Sequence, residues 1–180
     1  MKILLHTCCG PCAVVYTDGL DCAGYNYDFL WYNHNIHPYT EYRSRKQALE
    51  DFAKNKNCKL VMVDDYGLED FVATTLANPS ARCQSCYKNR LEFTAQKAQA
   101  EGYTAFSTTL LASPYQDFDT ICKLGNALAE KRGLKFIVED FRESFRMGLT
   151  KAREMGLYMQ KYCGCIFSEK ERYTRSKKPS

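Results

Sequence analysis

At 180 residues the chain has the length of one domain and can bury a core without covalent staples. Apolar residues make up 45% and charged residues 26%, and no apolar run approaches the roughly 20 residues of a membrane span, which excludes a membrane-spanning chain and leaves a soluble globular one. The formal net charge of +4 suits a polyanionic substrate such as RNA but does not by itself make a nucleic-acid binder.

The first predicted element is a buried strand over Lys2 to Thr7. It runs directly into "TCCGPC", which places Cys8, Cys9 and Cys12 at a strand's carboxyl end. The leading "MKILLHTC" carries one Lys and too short an apolar segment for a signal peptide, so a cytoplasmic location is expected. Disulfide frameworks are rare there, and ten Cys in such a protein point instead to metal ligation or redox chemistry.

Further strands are expected at Tyr27 to Tyr32, Lys59 to Val63, Ala105 to Thr109 and Lys135 to Val138, each beside a stretch of helical spacing. After the loop "NHNIHP", with His34 and His37, the residues Tyr42, Leu49, Phe52 and Ala53 recur on one helical face. A helix from about Arg82 to Glu101 begins with the CxxC of Cys83 and Cys86 and stops at Gly102. Another covers Asp117 to Arg132, with Gly133 as its stop. Strands alternating with helices argue for an α/β fold with a parallel sheet covered on both faces, and ligands bind such sheets beyond the carboxyl ends of the strands. From Phe141 the pattern reads as helical to Tyr173, interrupted by "YCGC", and is expected to pack back over the strand ends as a cap covering about 141–175. One domain is expected over 1–175, followed by a basic, disordered tail at 176–180.

Cys83 and Cys86 fall at a helix N-terminus with Arg82, Lys88 and Arg90 nearby, a setting that lowers thiol pKa. Joined to Cys8 and Cys9 they make a set of four thiolates, suited to a [4Fe–4S] cluster or a four-cysteine zinc site. Zinc pairs usually come as knuckles about two to four residues apart, so adjacent Cys8 and Cys9 favour iron and sulfur. Cys12 is then a fifth thiol: a small core residue, a ligand to a second metal ion, or a group facing the substrate. In "KYCGCIF", a disulfide between Cys163 and Cys165 would require Gly164 to fold the chain tightly, and such a strained bond would be labile or catalytic. The alternative is that these thiols also ligate the metal.

His34 and His37 read as turn-forming or substrate-contacting residues. Arg142 and Arg146, a turn apart on an expected helix, would receive phosphates if they stand near the thiols, or form a solvated face if they do not. Tyr115, just beyond the fourth strand, could stack on a base or simply anchor the next helix. Two other readings remain open: a non-catalytic zinc protein that binds RNA, its metal held by four cysteines, and a thiol–disulfide oxidoreductase.

The ordered blocks "HTCCGPC", "YNHNIHPYTEYRSR", "RCQSCYKNRLEFTA", "FSTTLLASPYQ", "FRESFRMGL" and "REMGLYMQKYCGCIFS" resemble the QueH-type epoxyqueuosine reductases, the cobalamin-independent enzymes of tRNA queuosine synthesis. The resemblance runs from Lys2 to about Tyr173. It implies reduction of epoxyqueuosine in the tRNA anticodon loop, on a Rossmann-like fold related to the nucleotide-binding pyrophosphatase and synthetase type. In those proteins a Gly-rich phosphate loop follows the first strand; "TCCGPC" takes its place, so ATP binding is not expected. The resemblance further implies a [4Fe–4S] cluster on Cys8, Cys9, Cys83 and Cys86, and a redox-active disulfide between Cys163 and Cys165. A second mononuclear metal ion, iron, would lie near Cys12, and an electron donor of unspecified identity would feed the site.

Overall fold

A computed structural model describes residues 1–174; the expected tail at 176–180 lies outside the described residues. Five strands, β1 (Lys2–His6), β2 (Asn26–Trp31), β3 (Leu60–Met62), β4 (Ala105–Thr108) and β5 (Lys135–Phe136), form one sheet in the order β3-β2-β1-β4-β5. Every neighbouring pair is parallel. This is the expected α/β class, and all five expected strands are present, four with their ends trimmed and β2 starting and ending one residue earlier than expected. Parallel strands are covered on both faces and therefore read as unbroken apolar runs. Accordingly Ile3, Leu4 and Leu5 on β1 and Phe29, Leu30 and Trp31 on β2 are wholly buried.

Among the described residues seven α-helices accompany the sheet: α1 (Gly10–Cys22), α2 (Tyr39–Asn55), α3 (Leu68–Ala77), α4 (Arg82–Ala100), α5 (Phe118–Arg132), α6 (Phe145–Glu154) and α7 (Ile166–Thr174). Helices α2, α4 and α5 fall where apolar spacing predicts them. Asp117 caps α5 by accepting the Thr120 amide at 3.0 Å, and Gly133 closes it in the left-handed conformation. Helix α1 is different. Its residues 10–17 are all buried, so no polar face exists to reveal a 3.6-residue period.

The C-terminal third departs from the expected near-continuous helix. Gly156 ends α6 at φ +70, with its own amide on the Arg153 carbonyl and that of Leu157 on Ala152, and residues 155–165 then run irregularly to α7. Arg142 precedes α6 instead of lying on it. Helix α6 lies against α1 at Gly148, where a Cβ would collide with Val15. The irregular stretch then crosses the carboxyl ends of β1 and β2. There the His37 amide bonds to the Gly164 carbonyl at 2.8 Å and the Tyr162 hydroxyl to the His37 carbonyl at 2.6 Å. No helix among the described residues is long and apolar enough to cross a membrane.

Candidate active site

The sheet order reverses around β1, whose neighbours β2 and β4 diverge into different crossovers, and this is where an open α/β sheet presents its binding crevice. The segment "TCCGPC" turns from β1 into α1 at that point. Buried His6 prepares the turn: its Nε2 faces the Tyr32 carbonyl at 3.2 Å and its Nδ1 the Thr108 hydroxyl at 2.9 Å. The nitrogen facing the carbonyl carries the proton, and burial, which lowers the pKa of His6 to about 4, keeps the ring neutral. Cys9 is the N-cap of α1, its sulfur accepting the Cys12 amide at 3.4 Å, and Pro11 occupies the first turn, where a missing N–H costs nothing.

This geometry gathers three buried thiols. The sulfurs of Cys8, Cys9 and Cys12 lie within 4.8 Å of one another, with Cys8 and Cys9 3.9 Å apart. Hydrogen bonds from Cys12 and Cys9 pull the Cys8 thiol well below the usual range. Donating to Cys8 pushes Cys12 up, and burial pushes up Cys9. Gln160, on the irregular stretch, donates Nε2 to the Cys9 sulfur at 2.9 Å, and the Thr109 hydroxyl stands 3.6 Å from the Cys8 sulfur. Soft sulfur donors, with no carboxylate or imidazole among them, fit a thiophilic metal or an iron–sulfur group. Cys12 belongs to this compact set, and neither Cys83 nor Cys86 joins the 4.8 Å group. A group that small has the dimensions of a single-ion site; a four-iron cube holds its ligands further apart.

Cys83 is exposed at the start of α4, whereas Cys86 faces inward and receives Arg90 Nη2 at 3.1 Å. Burial outweighs Arg90 and pushes the Cys86 thiol up to about 12, contrary to the lowering expected from its neighbours in sequence. Cys163 and Cys165 are both free thiols. Gly164 between them has φ +146, and a Cβ there would come 3.2 Å from Asn35 Nδ2 and 3.4 Å from Arg45 Nη1, so glycine suits both the backbone and the space. Arg45, 1% exposed, holds this loop: Nη1 donates to the Cys163 carbonyl and Nη2 to the Tyr162 carbonyl, both at 2.9 Å, while Nε bonds to Glu41 at 2.7 Å.

A cavity of about 710 Å³ joins these parts, lined by Cys8, Cys12 and Cys163 and, near its mouth, by Tyr115, Arg153 and Lys161. Tyr115 is 84% exposed and meets Phe145 edge-on. Arg172 also lines the cavity, and Glu171 is the single acidic residue there among the described residues. Of the other residues singled out in the sequence, His34 pairs with Asp65 at 2.9 Å beside a smaller cavity of about 100 Å³ that also reaches Cys86. His37 is buried against Tyr66 and Phe71. Arg142 is held by Asp140 at 2.8 Å and packs over Phe118, and Arg146 is exposed on α6; neither lines the cavity. Spacing does not mark Gln160, Gln116, Thr109 or Arg45. Arg45 sits among the charged residues between the apolar positions of α2, and the fold turns it inward.

A parallel α/β sheet with a thiol cluster at its switch point marks an α/β protein built for thiol or metal chemistry. The comparisons with known proteins narrow this. The sequence matches the family model described as "Epoxyqueuosine reductase QueH" over residues 3–171. It is 33% identical to the epoxyqueuosine reductase QueH of Dehalococcoides mccartyi, covering 99% of this chain and 98% of that protein. It is 36% identical to the one from Thermotoga maritima, covering 94% and 91%. By shape it is similar to a solved structure described as the predicted subunit of a tRNA methyltransferase from Methanocaldococcus jannaschii, with TM-score 0.53 over 84% of this chain and 75% of that one. At 16% identity that likeness concerns the fold alone. The chain belongs to the QueH family of epoxyqueuosine reductases and is an oxidoreductase.

Proposed function

We propose that this chain reduces epoxyqueuosine in the anticodon loop of tRNA to queuosine. The observation that carries the reading, beside the family, is the convergence of Cys8, Cys12 and Cys163 on one basic-rimmed cavity. Its volume of about 710 Å³ suits a single unpaired nucleoside splayed from a loop. Tyr115 offers a ring on which a base can stack, and Arg153, Lys161 and Arg172 take the flanking phosphates. His34 lines the smaller cavity and His37 is buried behind it, so neither contacts a nucleoside in the large cavity, and Arg142 and Arg146 can reach only more distant parts of the tRNA.

Removing the epoxide oxygen takes two electrons and two protons, and gives an alkene and water. Oxidation of the Cys163 and Cys165 dithiol to a disulfide releases that same complement, and an external donor then restores the thiols. Cys8, Cys9, Cys83 and Cys86 would hold a [4Fe–4S] cluster, with Cys12 beside a second metal ion, iron. When bound, such a group supplies single electrons and an iron able to polarise the epoxide oxygen. The chain's own part is to bind and orient: Gln160 and Thr109 fix the thiols at the cavity floor, and Gln116 Nε2 reaches the Cys163 sulfur at 3.5 Å. The 3.9 Å between Cys8 and Cys9 supports a second reading, a single thiolate-bound ion on Cys8, Cys9 and Cys12 without sulfide.

Anaerobic reconstitution with iron, sulfide and metal analysis separates the two, since about four irons and four sulfides per chain mark the cube and one metal without sulfide the single ion. Assay on epoxyqueuosine-bearing tRNA completes the test. Cys163→Ser and Cys165→Ser are expected to keep the cluster absorption and abolish turnover; loss of the absorption would make them ligands instead.

A further inference from the structure

The thiol-rich region contains a second buried arginine, and unlike Arg45 it lacks a carboxylate. Arg90 on α4 is 2% exposed. Its donors reach the carbonyl of Cys86 at 3.2 Å through Nε and the sulfur of Cys86 at 3.1 Å through Nη2. Among the described residues no Asp or Glu oxygen lies within 4.0 Å of it, whereas Arg45 has Glu41 at 2.7 Å. A guanidinium withdrawn from water without an anion is strongly disfavoured. The charge therefore calls for a negative partner from outside the carboxylates of the chain.

The placement says what that partner is. Arg90 forms part of the wall of both the large cavity and the small one, so it stands between the cavity that Cys8 and Cys163 line and the cavity that Cys86 lines. The Cys86 sulfur lies 3.1 Å from its Nη2, and Cys8 and Cys163 line the large cavity that it borders. Tyr87 covers one side, its ring centroid 6.0 Å from the guanidinium carbon. The three mouth cations, Arg153, Lys161 and Arg172, are exposed or half-buried and suited to phosphates; Arg90 lies behind them, against sulfur.

We infer that Arg90 is the fixed counter-charge of the thiolate-bound centre, raising its reduction potential by stabilising the electron it accepts. The inference rests on the iron–sulfur reading given above. Each electron added to such a centre deepens its negative charge, so a cation held at its edge in a water-poor site favours the reduced form. Arg90 acts through the centre and is a positioning residue in this sense, with no bond to substrate required of it.

The test is a dithionite titration of the reconstituted protein followed by electron paramagnetic resonance, on wild type, R90K, R90Q and R90M, with iron and sulfide counted in each. Expected is a lower midpoint potential in R90Q and R90M at unchanged iron content, with R90K close to wild type and tRNA affinity unaltered. Loss of the cluster from R90Q but not from R90K also supports the inference, because charge then decides retention. Three results overturn it. An unchanged potential in R90Q does so, and with tRNA binding weakened tenfold or more it makes Arg90 a phosphate ligand. Cluster loss from R90K as well as R90Q shows that the hydrogen bonds to Cys86, not the charge, matter. A wild-type chain that takes up no cluster removes this inference together with the iron–sulfur reading, whereas a wild-type cluster with an insensitive potential removes this inference alone.

Discussion

Among the buried histidines, His37 stands in an apolar corner between Tyr66 and Phe71, and neither ring nitrogen has a hydrogen-bond partner among the described residues. Burial lowers its pKa to about 4. The unfolded chain, whose histidine titrates near 6.5, takes up the proton first as the medium is acidified, so the folded state loses stability between about pH 6.5 and 4. Urea unfolding of the metal-free, reduced protein should show a loss of about 2 kcal/mol from this residue between pH 7 and pH 5. His37→Phe keeps the ring and should remove about half of the histidine-linked dependence, because buried His6, whose pKa is also lowered to about 4, supplies the rest; an equal slope in the variant would assign the effect elsewhere. A second histidine in the same loop, His34, is instead paired with Asp65 at 2.9 Å. The sequence "NHNIHP" treats the two alike. Their separation comes from the fold, which brings Asp65 to one ring and aromatic side chains to the other.

Helix α2 is tied to the irregular stretch before α7 chiefly through Arg45, which spans from Glu41 to the carbonyls of Tyr162 and Cys163. Arg45→Met removes three charge-assisted bonds and leaves Glu41 buried without its cation, a loss of about 3–5 kcal/mol in urea unfolding. Alkylation of Cys163 should quicken at the same time as the loop loosens; an unchanged rate would mean that Gly164 and the His37 amide suffice to hold it. The elements themselves are legible to unequal degrees. Strands β1 to β5 and helices α2, α4 and α5 announce themselves by apolar runs and stripes, and their caps and stops, Asp117 and Gly133 among them, stand in the sequence. Helix α1 carries no such mark because its first two turns are buried all round. The stretch before "YCGC" reads as helical, yet Gly156 at φ +70 ends the helix and makes room for Gln160 over the thiols. The clustering of Cys8, Cys9 and Cys12 follows from a turn, and its partners come from residues about a hundred positions away or more, a relation that local spacing does not carry.

For the molecule as a whole, the cations at the cavity mouth are drawn from three places in the chain, Arg153 at the end of α6, Lys161 on the irregular stretch and Arg172 on α7. If they bind the phosphates of a single-stranded loop, the triple variant Arg153→Ala, Lys161→Ala, Arg172→Ala should reduce the slope of log affinity against log salt by about two, while the tertiary structure is kept. Filter binding of tRNA over a salt series measures this, and an unchanged slope would place the tRNA on another face. A last consequence concerns Cys9 at the start of α1, where its sulfur accepts the Cys12 amide. Cysteine is not among the residues that cap helices best; serine is, and its oxygen would make the same bond more strongly. Cys9→Ser should therefore raise the unfolding midpoint of the metal-free chain while weakening its hold on metal. A thiol kept at a position where a hydroxyl would fold better reflects selection for chemistry at the expense of robustness.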